Sequence, residues 1–90
     1  MYEIVLSNSF KRDLKLLKKR GYDLSLMQRV VDTLAAGEGL DGKYRDHELT
    51  GNYRGFRECH ITPDWLLIYR IDHGELLLFL TRTGTHADLF

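Results

Sequence analysis

Ninety residues, 43% apolar and 29% charged, describe one small globular domain of a size that buries roughly 60–65% of the unfolded chain's surface on folding. Thirteen Lys and Arg balance thirteen Asp and Glu, so a net charge of zero excludes a protein that grips nucleic acid by bulk electrostatics. Apolar runs of no more than seven residues exclude a membrane-spanning helix, and a single cysteine, Cys59, excludes an internal disulfide. Cys59 is expected to be a small buried hydrophobe in a reducing cytoplasm, and nothing ahead of the first strand has the pattern of a secretory leader.

In chain order, Tyr2–Leu6 (YEIVL) predicts a strand, and the following SNS supplies hydroxyl and amide caps for a helix. Phe10, Leu14 and Leu17 fall on one face of that helix. The remaining surface carries a basic stripe, with six cations against one Asp13 between Lys11 and Arg20. Gly21 ends the helix. Asp23 or Ser25 can cap a second one, with Leu26, Val30, Val31 and Leu34 on its buried face and Gly37 at its stop. The pair makes a helical hairpin. From Gly37 through Gly51 no period is clear. Three strands then follow, roughly Arg54–Ile61, Trp65–Ile71 and Leu76–Thr83, separated by TPD and DHGE turns. WLLIYRI is apolar at almost every position and predicts a central strand covered on both faces. The expected fold class is α+β: an N-terminal strand, a helical hairpin, then a three-stranded antiparallel meander, all in one domain over residues 1–90.

A meander brings the end of its first strand, the turn after it and the end of its last strand to one edge. His60, Asp64, Arg82 and His86 are therefore expected together, since neighbouring strands are about 4.8 Å apart. His73, in the other turn, belongs at the opposite end as a solvated residue. Two imidazoles, a carboxylate and a guanidinium suit RNA cleavage without a metal. One group takes the 2′-hydroxyl proton, a second protonates the departing 5′-oxygen, and a cation steadies the phosphate. Trp65 and Phe90 are placed to stack on unpaired bases. Each also has a structural use: an ion pair for Arg82, a hydrogen-bonded core position for His60, a turn for Asp64, core packing for Trp65. No HExxH, paired CxxC, glycine-rich nucleotide loop or nucleophile elbow occurs, so no metal or cofactor is expected.

The stretch YRDHELTGNYRGFRECHITPDWLLIYRI and the terminal RTGTHADLF carry DHxLxG, HxxPDWxLIY and RTGTHxxLF in succession. With the order of elements across the whole chain, they resemble the YafQ family of bacterial toxins in the RelE/ParE superfamily. The resemblance implies a small antiparallel-rich sheet with the helical hairpin on one face. It also implies a ribosome-dependent endoribonuclease that cuts messenger RNA in the decoding site and is silenced by a cognate antitoxin. It assigns His47, His60, Asp64 and His86 to the active site, Arg82 to the phosphate, and Trp65 and Phe90 to the pocket. His47 enters only through the resemblance. The expected roles are Asp64 or His60 as general base, His86 as general acid, Arg82 as clamp and His47 as an auxiliary. The basic first helix becomes a ribosomal RNA contact. The alternative is a ParE-like gyrase poison without nuclease activity, whose action calls for no histidine and aspartate set.

Overall fold

The computed structural model describes residues 1–90. Its elements run β1 (Glu3–Leu6), α1 (Asn8–Lys19), α2 (Leu24–Ala35), β2 (His47–Glu48), β3 (Arg57–Thr62), β4 (Trp65–Asp72), β5 (Leu77–Gly84) and α3 (His86–Leu89). Short 3-10 turns at Gly42–Tyr44 and Gly51–Tyr53 flank β2. The five strands lie in the order β1-β5-β4-β3-β2. The expected meander is the middle of this sheet. β1 joins it parallel to β5, and the two-residue β2 joins it antiparallel to β3.

α1 starts where Ser7 Oγ accepts the Phe10 N–H at 2.9 Å, and α2 starts where Asp23 accepts the Ser25 N–H at 3.0 Å. Gly21 and Gly37 follow the helices with φ of 78° and 79°, the left-handed conformation that glycine adopts without a Cβ clash. Phe10 and Leu17 of α1 are buried as their spacing predicts. In α2 the buried set is Met27, Val30, Val31, Leu34 and Ala35. Leu26, expected on that face, is 37% exposed instead. The i, i+3, i+4, i+7 series that meets the sheet begins at Met27, which rotates Leu26 to the margin.

Along β4, Trp65, Leu67 and Tyr69 point to the helices and join the main core with Cys59, Leu78 and Leu80. Leu66 and Ile68 alternate to the other face, where Leu89, Leu49, Tyr53 and Phe56 cover them. Both faces of the central strand are thus sealed, as its apolar run predicts. Cys59 is fully buried, and burial pushes its thiol up to about 12. Such a thiol is inert packing. His73 is an exposed turn residue at the far end, its Nδ1 2.9 Å from the Tyr2 hydroxyl. No helix is long and apolar enough to cross a membrane.

Candidate active site

The face of the sheet opposite the helices ends in a row of polar side chains. Strand alternation places Glu58 and His60 of β3 on this face, because they pair with Ile68 and Leu66. β2 lies alongside, with His47 directly opposite Glu58. The two residues of β2 therefore bring in an imidazole that the chain otherwise leaves in an irregular stretch. β5 contributes Arg82 opposite Ile68, and Gly84 opposite Leu66, before the chain turns into α3.

α3 is a single turn held by a capping box: Thr85 Oγ1 accepts the Asp88 N–H, and Asp88 accepts the Thr85 N–H. Arg20, just past the end of α1, grips the same Asp88 carboxylate through Nη1 and Nη2 at 2.7 and 3.1 Å. Hydrogen bonding from Arg20, with help from the Thr85 backbone, holds the Asp88 carboxyl far below the usual carboxylate range. Gly84 fits here because a Cβ would lie 2.9 Å from Asp88 Oδ2. The result is a fixed position for His86, the first residue of the turn.

His86 meets Asp64 from the β3–β4 turn. One carboxylate oxygen accepts the ring Nδ1–H at 3.1 Å and the backbone N–H at 3.3 Å. These bonds lower the Asp64 pKa from its ordinary value. Asp64 is consequently an ionised orienter of His86, and the donation from Nδ1 leaves the His86 Nε2 free to face outward.

The His60 and His86 rings are 5.8 Å apart between centroids, and His47 and His60 are 6.2 Å apart. His60 Nδ1 donates to the Pro63 carbonyl at 3.4 Å, and its Nε2 has no hydrogen-bond partner. That nitrogen is 4.0 Å from Glu58 Oε2. His47 donates from Nδ1 to the Arg45 carbonyl at 2.6 Å, and its Nε2 is 3.1 Å from the same Glu58 oxygen. Both neighbours of the His47 ring are acceptors.

Glu58 is the residue of this candidate site that sequence reasoning missed. It is 5% exposed, and its Oε1 is buried without a hydrogen-bond partner. Leaving such an oxygen unpaired costs about 1–3 kcal/mol or more, so a site use is the better account of it than stability. Its signal was present: in RECHIT, Glu58 and His60 are two apart and must share a strand face. Donor atoms of His47, Glu58 and His60 all lie within 4.8 Å of one another, a set that can receive a metal ion although no spaced motif announced it.

Arg82 is on the expected face, but its guanidinium is turned to α1. Nε and Nη2 donate to Asp13 at 2.7 and 3.1 Å, and Asp13 also accepts the Thr83 N–H. That backbone group is available because β1 ends opposite Leu80 and leaves the edge of β5 open beyond it. Two of the five guanidinium donors are committed, and three remain.

Trp65 differs from its expected place. It is 2% exposed, its indole N–H donates to Thr83 Oγ1 at 2.9 Å, and its ring meets Tyr22 edge-on at 5.0 Å. Trp65 is the first residue of β4 and alternation turns it to the helices. It shapes the site from beneath and offers no face to a base. Phe90 is 63% exposed, with its ring edge against Tyr53.

Comparison with known proteins gives a consistent picture. The family described as bacterial toxin of type II toxin-antitoxin system, YafQ, matches residues 2–90. An Escherichia coli K12 protein, "mRNA interferase toxin YafQ", is 38% identical over 89 residues, covering 98% of this chain and 95% of its own. A metal-bound toxin from Helicobacter pylori superposes with a TM-score of 0.94 at 49% identity, over the whole of both chains. The E. coli DinJ-YafQ complex contains a chain with a TM-score of 0.91 and 37% identity, covering 100% of this chain and 99% of that one.

Proposed function

The chain belongs to the YafQ family of type II toxins and is an mRNA interferase, an endoribonuclease; from that premise we propose that His60 and His86 cut message by metal-independent acid–base catalysis on the ribosome. The carrying observation is the pair of imidazoles 5.8 Å apart, each with Nδ1 committed to an acceptor and Nε2 free.

His60 Nε2 takes the proton from the 2′-hydroxyl as that oxygen attacks phosphorus. The new O2′–P bond forms while the P–O5′ bond breaks. His86 Nε2 delivers a proton to the departing 5′-oxygen, so the products are a 2′,3′-cyclic phosphate and a 5′-hydroxyl. Asp64 is a poor base, because its bonds to His86 stabilise the ionised form. Its carboxylate instead orients the His86 ring through Nδ1 and the backbone N–H. Of the two base candidates, His60 is the better supported.

Asp13 takes two of the Arg82 donors, and Arg82 serves as the phosphate clamp with the three that remain. His47 serves as an auxiliary beside His60, positioned through Glu58, which lies 3.1 Å from His47 Nε2 and 4.0 Å from His60 Nε2. The exposed cations Lys11, Arg12, Lys15, Lys18 and Lys19 of α1 contact ribosomal RNA, which is how a chain of zero net charge reaches a polyanion. The setting is the cytoplasm, and the partner that silences the toxin is a cognate antitoxin of the DinJ kind, as in the E. coli complex.

The test is His86→Ala on ribosomes programmed with a defined message. A positioned general acid contributes about 10²–10⁴-fold, and cleavage should fall by that factor while the fold persists. Parental cleavage by this variant, or products bearing a 5′-phosphate, would sink the mechanism.

A further inference from the structure

Three arginines around the catalytic cluster each have a carboxylate partner: Arg82 has Asp13, Arg57 has Asp46 and Arg20 has Asp88. Three other cations have none. Arg29 of α2, Lys43 of the first 3-10 turn and Arg45 after it line a cleft of about 540 Å³ between α2 and the β3–β4 turn. All three are exposed, and no carboxylate oxygen lies within salt-bridge distance of any of them. The cleft meets the catalytic cluster at His60, which is part of its wall.

We propose that this cleft binds the message backbone on the 5′ side of the scissile linkage, its phosphates neutralised by Arg29, Lys43 and Arg45. The inference rests on the nuclease reading above and adds a polarity to it. The nucleotide that supplies the attacking 2′-hydroxyl is the one 5′ of the scissile phosphate, and its hydroxyl must lie at His60. The leaving oxygen belongs to the 3′ nucleotide and must lie at His86. A chain entering past His60 therefore runs upstream along the cleft.

Two local features fit this use. Arg45 has φ of 50°, a left-handed conformation costly for a residue other than glycine, and its carbonyl is held by His47 Nδ1 at 2.6 Å. The backbone that carries this cation is thus tied to the His47 imidazole. Tyr44 is half-buried beneath Lys43 Nζ, 5.1 Å from its ring centroid, and the exposed Leu26 supplies apolar floor. A cationic groove with an aromatic and an aliphatic surface is the usual provision for single-stranded RNA.

A coupling experiment tests it. Cleavage of a model message on programmed ribosomes is measured for the parent and for the Arg29→Gln/Lys43→Gln/Arg45→Gln variant. The message carries either native linkages or uncharged methylphosphonates at the two positions immediately 5′ of the cut. On native message the variant should lose about tenfold or more in kcat/KM. The methylphosphonates should cost the parent a similar factor. The two losses should not multiply when combined, because both remove the same contacts. Full multiplication, or coupling only to methylphosphonates 3′ of the cut, overturns the proposal. Parental cleavage by the variant together with lost antitoxin capture also overturns it and assigns the cleft to the antitoxin. No cleavage by the parent on native message would instead bring down the nuclease reading. Thermal melts confirm folding, and Arg29→Gln alone serves if the triple variant is unstable.

Discussion

Trp65 shows how one residue's neighbours decide between two uses of the same side chain. Beside Asp64 in the sequence it resembles a base platform, yet its indole N–H is spent on Thr83 inside the core. Trp65→Phe removes that one buried hydrogen bond, with an expected cost of about 1–3 kcal/mol. At about 4–8 °C per kcal/mol for a domain of this size, the thermal midpoint should drop visibly. The folded variant should still cleave message with a nearly unchanged KM. A raised KM with an unmoved midpoint would mean that the indole touches RNA after all. Glu58 is the converse case: a carboxylate that core packing does not want, kept where two imidazoles can share its oxygen.

Two very short elements carry much of the site. β2 is two residues long, and its pairing with β3 is what sets His47 against Glu58. α3 is four residues long, too short to persist alone, and it is clamped by Thr85, Arg20 and Asp88. The depressed Asp88 pKa ties this clamp to pH with a definite sign. Its contribution is complete above the ordinary carboxylate value of about 3.9, and it is lost as pH falls toward the lower folded value. In denaturant melts, the stability gap between the parent and Asp88→Asn should be constant at neutral pH. It should begin to narrow only near pH 4 and continue closing below. A gap that closes between pH 8 and 5 would show that some other group governs the attachment of α3.

For the whole molecule, α1 and α2 cover one face of the sheet, and the row of polar side chains lies on the other beside the smaller cluster of Leu66, Ile68 and Leu89. The three-donor set of His47, Glu58 and His60 makes the proposed independence from metal testable. Chelation with EDTA should leave cleavage unchanged. Added Zn²⁺ or Cu²⁺ should suppress it, because imidazole nitrogens on a metal cannot accept a proton. Loss of cleavage with EDTA and recovery with metal would make the set a catalytic metal centre instead.

Much of this protein was legible in its sequence. The 3.6-residue spacing of Phe10 and Leu17, the unbroken apolar run of β4 and the turn chemistry of TPD and DHGE determine the helices, the central strand and the meander. The meander in turn brings His60, Asp64 and His86 to one end. Period and turn preference are local properties, written within a few residues of where they act. What the tertiary structure alone decided is pairing between distant segments: β2 seating His47, the orphaned oxygen of Glu58, Asp13 holding Arg82 across 69 positions, and the unpaired cations beside His60. Such pairings depend on which surfaces meet once the core has closed, and no period in a linear chain encodes that meeting.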